Sequence, residues 1–173
     1  MHNKHMLSAM FAVWALCVFC LVSSALASEP IENGSVAVKP GPNDKCSVCG
    51  MFPSKHPKWC AGFTFQDGTR CFHCCPKCML HNLHNVSKYQ PGHKRENIKD
   101  IWVTEYYSTK QINAKDALFV TGTTLQGPMG LDLIPVKGKE AAENLMRDYH
   151  GKQIVPLDQV TEELVNTVRR GKK

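Results

Sequence analysis

The sequence predicts an α+β fold made of two similar strand-strand-helix-strand halves. The same order of patterns occurs twice, around residues 59–107 and around residues 117–156. The composition, 43% hydrophobic and 21% charged over 173 residues, is that of a globular chain long enough for one domain or two small half-domains. The halves share a pattern and no sequence motif, so an undivided α+β domain stays open as the alternative.

A signal peptide is predicted at residues 1–27. Lys4 gives a basic start, residues 6–22 form an apolar run, and Ala25-Leu26-Ala27 has the small-x-small pattern that signal peptidase cuts. We therefore expect export to the periplasm, with a mature chain that starts at Ser28. The apolar run is close to the lower limit for a membrane span, so an uncleaved N-terminal anchor is the alternative.

The charge pattern is informative about nucleic-acid binding, and the N-terminal cysteines are informative about membrane attachment. The formal charge of +6 is spread without a long basic block or a basic-aromatic stripe, so no nucleic-acid binding is predicted. Cys17 and Cys20 lack the small preceding residue that is typical of a lipidated cysteine. No lipobox is therefore identified, and membrane association stays open.

A linker rich in proline and glycine is predicted at 28–44, followed by a domain at 45–160 with halves at about 45–110 and 111–160. The first half is predicted to contain, in order, a strand at 59–65, a turn at 66–69, a strand at 70–73, a helix from Pro76, a loop at 89–100 and a strand at 101–107. Asp67-Gly68 is a strong hairpin signal, and Pro76 suits a first helical turn.

The second half continues the same order. It is predicted to contain a turn at 113–116, a strand at 117–121, a glycine-flanked loop at 127–130, an extended segment at 132–136, a helix at 140–149 and a strand at 152–156. A C-terminal helix and tail follow at 161–173. Asp158 is expected to cap that last helix, which carries Val160, Leu164 and Val168.

The placement of the cysteines indicates a site. Seven cysteines lie outside the predicted signal peptide, and all of them fall between residues 46 and 78. A disulfide framework would be spread along the chain, and an odd number leaves at least one thiol unpaired in a monomer.

Residues 46–51, Cys-Ser-Val-Cys-Gly-Met, place two thiols and a thioether side by side. Such soft donors suit a soft metal ion such as Cu(I), whereas a methionine has no use in a disulfide and binds Zn(II) poorly. A disulfide between Cys46 and Cys49 stays open as an alternative. Met51 as a simple packing residue stays open as well.

A candidate second site follows, made of Cys71, Cys74, Cys75, Cys78 and His81. Two overlapping Cys-x2-Cys pairs, 71/74 and 75/78, with a histidine one helical turn later, favour a metal ion, and zinc is a candidate. A redox pair or a set of disulfides is the alternative. A zinc ion held by Cys46, Cys49 and one of these pairs is a further alternative. Neither pair is followed directly by histidine, so covalent haem attachment is not indicated.

Residues 127–130, Gly-Pro-Met-Gly, can project a methionine because glycines on both sides free the backbone. A methionine in such a loop is commonly a packing residue. Spacing alone therefore leaves the role of Met129 open.

Together these motifs resemble the NosL family. The resemblance is carried, in the order of that family, by residues 46–51, 57–61, 67–68, 101–106, 113–117 and 127–130, within a match over about residues 45–160. It implies an exported, non-catalytic copper-binding accessory protein with two similar α+β halves, related in fold to the organomercurial lyase. The cysteine- and histidine-rich run at 71–84 departs from the family pattern.

The resemblance also implies ligands and a partner. Cu(I) would be held by Cys49, Met51 and Met129, with Cys46 as a less certain ligand. Three soft sulfur atoms from two distant loops form a low-coordinate site that can release Cu(I) by ligand exchange. The implied acceptor is nitrous oxide reductase or another periplasmic copper protein.

Two other functions stay open at this point. The chain can be a zinc-stapled structural or binding module, or the Cys-x2-Cys motif can serve a thiol-disulfide oxidoreductase or an organomercurial-lyase-like enzyme. An enzyme of that kind needs a helix N-terminus directly after the motif, because this lowers the thiol pKa. Residues 52–57 do not look helical.

Overall fold

The computed structural model describes residues 38–171. The predicted signal peptide at 1–27 and the first ten residues of the predicted linker, 28–37, therefore lie outside the described residues. Within the described range, no helix has both the length and the apolar character needed to cross a membrane.

A four-stranded antiparallel sheet forms the first part of the fold. Its strands are β1 (Ala61–Phe65), β2 (Arg70–His73), β3 (Ile98–Thr104) and β4 (Gln111–Asn113), in the spatial order β2-β1-β3-β4. The β1–β2 turn is the predicted Asp-Gly turn, in which Gly68 has a φ of +88° and Asp67 Oδ1 accepts a 2.9 Å hydrogen bond from the backbone of Thr69. This hairpin brings the end of β2 alongside the start of β1.

A three-stranded antiparallel sheet forms the second part. Its strands are β5 (Ala117–Thr121), β8 (Ile134–Lys137) and β9 (Gln153–Pro156), in the order β8-β5-β9. Between β5 and β8 lies a separate small hairpin of β6 (Gln126–Gly127) and β7 (Gly130–Leu131), which has Met129 at its tip.

Four helices complete the described fold. They are α1 (Pro76–His84), α2 (Val86–Tyr89), α3 (Lys139–Asp148) and α4 (Glu162–Arg169), with 3-10 turns at Pro53–Lys55, Arg95–Asn97, Ala114–Asp116 and Leu157–Gln159. α4 packs against α1, and His84 on α1 contacts the backbone oxygen of Val160 at 2.8 Å. The C-terminal helix therefore covers α1, which directly follows Cys74 and Cys75.

The predicted fold class, α+β, is confirmed. Both sheets are built in the same order along the chain. The first strand pairs with the next strand of its sheet on one side and, after an intervening helix, with a later strand on its other side. The orders β1-β2-α1-β3 and β5-β8-α3-β9 thus match. One large core cluster includes Phe63 of the first sheet and Phe119 of the second, so both sheets contribute to a shared interior.

Some elements differ from the expectation. Thr161, not Asp158, is the N-cap of the last helix, and its hydroxyl accepts a 3.2 Å bond from the backbone of Leu164. Asp158 lies in the preceding 3-10 turn, and Val160 precedes the helix. The expected loop at 89–100 contains a 3-10 turn and the first residues of β3, while β4 and the β6–β7 hairpin are additional strands.

Candidate metal centre

The first cysteine loop, residues 46–51, closes on itself. The backbone N–H of Cys46 donates to the carbonyl of Met51 at 2.8 Å, and that of Gly50 donates to the carbonyl of Cys46 at 2.8 Å. Gly50 has a φ of +76°, a left-handed conformation that glycine adopts without a steric cost. The loop buries Cys46 and leaves Cys49 and Met51 half-buried.

The second cysteine loop joins β2 to α1. Cys74 and Cys75 directly follow β2, and Cys75 is the extended N-cap of a helix whose first residue is Pro76. Proline suits this position because its φ is already helical and its missing N–H would have no helical partner. Cys78 lies in the first turn, so its side chain points back toward the helix start. The Sγ atoms of Cys74 and Cys78 are 3.9 Å apart.

Four sulfur atoms from the two loops converge. All of them lie within 4.8 Å of one another, and they belong to Cys46, Cys49, Cys74 and Cys78. Cys49 Sγ of the first loop lies 3.3 Å from Cys74 Sγ of the second. Val48, Met51 and Trp59 pack against this group. Among residues 38–171, no other set of histidine, cysteine or acidic side chains converges in this way.

The close thiols stabilise charge on one another. Hydrogen bonds from Cys74 and Cys78 lower the pKa of the Cys46 thiol, and the same two neighbours lower the pKa of Cys75 to about 3. Donating to Cys46 raises the pKa of both Cys74 and Cys78. Burial raises the pKa of Cys49. The arrangement therefore favours some of the thiols as thiolates, to which the neighbouring thiols donate hydrogen bonds. A metal cation can take the place of the protons in these hydrogen bonds.

A buried polar contact links the two cysteine loops. Asn82 on α1 donates from Nδ2 to Ser47 Oγ and to His73 Nε2, each at 2.9 Å. Burial lowers the pKa of His73 to about 4, so the ring is neutral and its Nε2 can accept. Ser47 lies between the first two cysteines and His73 directly precedes Cys74. The contact therefore fixes the position of one loop relative to the other.

The β6–β7 hairpin at residues 126–131 carries Met129 and is the methionine hairpin. It is tied to α1 by a buried lysine. Lys77, 4% exposed, donates from Nζ to the backbone oxygen of Met129 at 2.7 Å and to that of Leu131. Its own backbone N–H donates to Asp132 Oδ1 at 2.7 Å. Burial raises the pKa of Asp132 well above its usual range, and the nearby Cys75 thiolate adds to the effect. The hairpin is therefore held by the same helical turn that carries Cys78.

Trp59 contacts both the hairpin and the sulfur group. Gly127 lies so close to the Trp59 ring that an added Cβ would be 3.0 Å from it. The same ring packs against the buried cysteines. Met129 itself is 43% exposed. The structure thus brings the predicted ligands Cys46, Cys49 and Met51 to one place, and puts Met129 on a neighbouring, exposed hairpin.

The predicted second site is divided. Cys74 and Cys78 join the first cysteine loop, while Cys71 on β2 packs into the main core, where burial raises its pKa to about 12. His81 is paired with Tyr89, its Nε2 3.0 Å from the phenol oxygen. Cys75 is 3.9 Å from Cys74 and lies outside the group of four. The spacing in the sequence suggests the pairs 71/74 and 75/78. The group instead takes Cys74 from the first pair and Cys78 from the second.

A known protein family matches the chain in sequence, and a solved structure matches it in fold. The sequence model of the NosL family matches residues 37–165. The crystal structure of the copper chaperone NosL from Shewanella denitrificans matches with a TM-score of 0.55 and 22% sequence identity, over 73% of this chain and 96% of that chain. At this identity the likeness concerns the fold alone. No individually curated protein sequence matches the chain.

Proposed function

Because the chain belongs to the NosL family, we propose that it is a non-catalytic Cu(I) metallochaperone. The observation that carries the proposal is the convergence of soft sulfur donors at the two cysteine loops. The similarly folded protein from Shewanella denitrificans is a copper chaperone, which supports the same cargo here. Cu(I) is the metal ion that thiolates and thioethers together favour.

Cys49, Met51 and Met129 are the proposed Cu(I) ligands. Cys49 and Met51 are half-buried at the edge of the sulfur group, where a bound ion stays within reach of solvent. Met129 is 43% exposed on a hairpin fixed by Lys77. An exposed thioether can leave Cu(I) and be replaced by a ligand of an acceptor protein, which is what a carrier requires. Cys46, 1% exposed, is the less accessible of the two thiols in its loop.

Delivery is the second part of the proposal. The predicted signal peptide supports a periplasmic location, and the acceptor is a periplasmic copper protein, for which nitrous oxide reductase is our candidate. Transfer would be measured by mixing the Cu(I)-loaded chain with apo nitrous oxide reductase and following the copper content of the separated enzyme. An enzyme that stays copper-free would remove it as the acceptor.

The burial of the thiols at the start of α1 argues against the thiol-disulfide oxidoreductase alternative. The attacking thiol of such an enzyme must be reachable by a protein disulfide. Cys75 and Cys78 form a Cys-x2-Cys at the start of α1, but Cys75 is fully buried and Cys78 is 4% exposed. The first loop is followed by the short 3-10 turn Pro53–Lys55 and not by an α-helix. Metal binding is therefore the better supported use of these thiols.

The ligand set is tested by replacing Met129 with leucine. Met129→Leu keeps nearly the same volume and removes the sulfur, so we expect Cu(I) affinity to fall by about tenfold or more, about 1.4 kcal/mol, with unfolding unchanged. Affinity is measured by anaerobic competition with a Cu(I)-specific chelator. The matched control is Met146→Leu, on α3 and away from the sulfur group, which should keep full affinity. An unchanged affinity in Met129→Leu would remove this residue from the site.

A further inference from the structure

A cavity of about 710 Å³ lies beside the second sheet. Its walls are the segment that follows β5, the segment that leads into β9, the methionine hairpin and α4. Sites for small molecules in proteins have volumes of about 300–1,000 Å³, so the cavity is large enough for a ligand. Among the described residues that line it, none is a cysteine. The cavity is therefore separate from the sulfur group.

The segment that follows β5 contributes a hydroxyl group without a hydrogen-bond partner. Thr123 lines the cavity and is 3% exposed, and its Oγ1 has no partner within residues 38–171. The next residue, Thr124, is held by the carbonyl of Tyr149, which accepts from its backbone N–H at 2.9 Å and from its hydroxyl at 3.3 Å. A buried hydroxyl that lacks a partner costs free energy unless a ligand supplies the missing hydrogen bond.

The segment that leads into β9 brings a cation to the cavity. Lys152 lines the cavity with an exposed side chain, and its backbone N–H donates to the carbonyl of Thr121 at 2.8 Å. Gly122 leaves room for the lysine stem, since an added Cβ would lie 2.7 Å from Lys152 Cγ. In the described part of the chain Lys152 forms no ion pair, and no acidic side chain lines the cavity. Its ammonium group is therefore available to an anionic ligand.

Apolar side chains of the methionine hairpin and of α4 form another part of the wall. Leu131 and Leu164 are half-buried, and Val168 is 9% exposed. The carbonyl of Leu131 accepts from Lys77 Nζ, and Thr161 caps the start of α4. Because contacts within the protein hold both elements, the cavity is formed before a ligand arrives.

We propose that this cavity binds a small organic carboxylate, with its charged end at Lys152 and Thr123 and its apolar body against the hairpin and α4. A carboxylate only accepts hydrogen bonds, so it suits an ammonium group and a hydroxyl, both of which donate. His150 lines the cavity with an exposed ring and offers a further donor. One ammonium group balances one negative charge, which favours a monocarboxylate over a phosphate. The proposal does not rest on the copper-carrier function.

The binding experiment titrates the reduced, copper-free full chain with 2-naphthoate and follows the amide chemical shifts by NMR. We expect saturable shifts confined to the walls of the cavity, with a dissociation constant of about 1 mM or below. 2-Naphthamide has the same rings without the charge and should bind at least about tenfold more weakly. Inorganic phosphate has the charge without an apolar body and should also bind more weakly than 2-naphthoate.

The same titrations can overturn the proposal. It fails if no saturable shifts occur at the cavity, or if they centre on the cysteine loops. Equal affinity for 2-naphthoate and 2-naphthamide would show that the charge is not recognised. Tighter binding of phosphate than of 2-naphthoate would overturn the assignment to a carboxylate.

The role of the cation is tested by Lys152→Met, which keeps an unbranched stem over Gly122 and removes the charge. We expect the affinity for 2-naphthoate to fall by about fivefold or more, and that for 2-naphthamide to change by less than about twofold. The control is Lys110→Met, at an exposed lysine before β4 that does not line the cavity. Lys152→Met with unchanged affinity for 2-naphthoate would remove this residue from the site.

The role of the hydroxyl is tested by Thr123→Val, which keeps nearly the same shape. Since Thr123 Oγ1 has no partner within the described range, its removal should not lower the melting temperature of the free chain. We expect the affinity for 2-naphthoate to fall by about threefold or more. A lower melting temperature together with unchanged binding would show that the hydroxyl is structural and would overturn its part in the site.

Discussion

Cys49 is the thiol at which the buried sulfur group borders the proposed copper site. Its sulfur is 3.3 Å from Cys74 Sγ on the buried side, and its half-buried position leaves the other side open toward Met51. No other thiol of the group has both properties, because Cys46, Cys74 and Cys78 are buried. Its substitution should therefore have a different effect from that of its neighbours.

Two single substitutions should differ in their effect on Cu(I) binding. We expect Cys49→Ser to lower Cu(I) affinity, because it removes a proposed ligand. Cys78→Ser, at a buried thiol that is not a proposed ligand, should leave Cu(I) affinity within about threefold. Anaerobic competition with a Cu(I)-specific chelator checks both variants. A Cys49→Ser chain with full Cu(I) affinity would show that the copper site does not use this thiol.

At the scale of elements, α1 joins the separate parts of the site. Its start carries Cys78, its buried Lys77 holds the methionine hairpin, and Asn82 holds the first cysteine loop. α4 packs on the same helix. A displacement of α1 would therefore alter the sulfur group and the methionine hairpin together.

The buried lysine offers a test of how the hairpin is held. Lys77→Met keeps an unbranched side chain and removes the donor to the carbonyls of Met129 and Leu131. We expect unfolding stability to fall by about 1–3 kcal/mol, because buried carbonyls lose their partner. Cu(I) affinity should also fall. The control is Lys115→Met, which changes an exposed lysine in the turn before β5. An unchanged Cu(I) affinity in Lys77→Met would show that the hairpin keeps its position without this lysine.

The elements were predictable where local signals are strong. Asp67-Gly68 predicts the β1–β2 turn and Pro76 predicts the start of α1, because each residue favours one backbone conformation. β4 could not be predicted, since three residues carry no period and the strand depends on pairing with β3. At the last helix, Asp158 and Thr161 are both chemically suitable caps, and the choice is made by the 3-10 turn that precedes it.

At the scale of the whole molecule, the proposed Cu(I) ion would join a loop that precedes the first sheet to the hairpin that lies between β5 and β8. The Cu(I)-bound state alone gains this link, so binding adds to folding stability. We expect removal of Cu(I) by a chelator to lower the melting temperature by several degrees, at about 4–8 °C for each kcal/mol lost in a domain of about 100 residues. Re-adding Cu(I) should restore it.

Acid should have the same effect as the chelator. Thiols must lose their protons to bind Cu(I), so Cu(I) retention is expected to fall as the pH is lowered, and not as it is raised. Melting curves and Cu(I) content as a function of pH check this. A melting temperature unaffected by chelator at every pH would show that the ion is not part of the fold.

The composition of the site was only partly predictable. The density of sulfur between residues 46 and 78 indicates a metal site, and the resemblance to the NosL family adds Met129 from a distant loop. The sequence does not indicate that Cys74 and Cys78 turn toward the first loop while Cys71 turns into the core. That choice follows from the alternation of side chains along β2 and from the helix that begins at Pro76, so it requires the fold itself.

The order of the sulfur donors along the chain sets the order in which the parts of the copper site can be assembled. Cys49 and Cys74, in contact, are separated by 25 positions, whereas Lys77 and Met129 are separated by 52. A chain synthesised from its N-terminus presents every thiol of the group before the methionine hairpin has been made. The two cysteine loops can therefore come together first, and the proposed copper site is completed only when Met129 reaches thiols that are already in place.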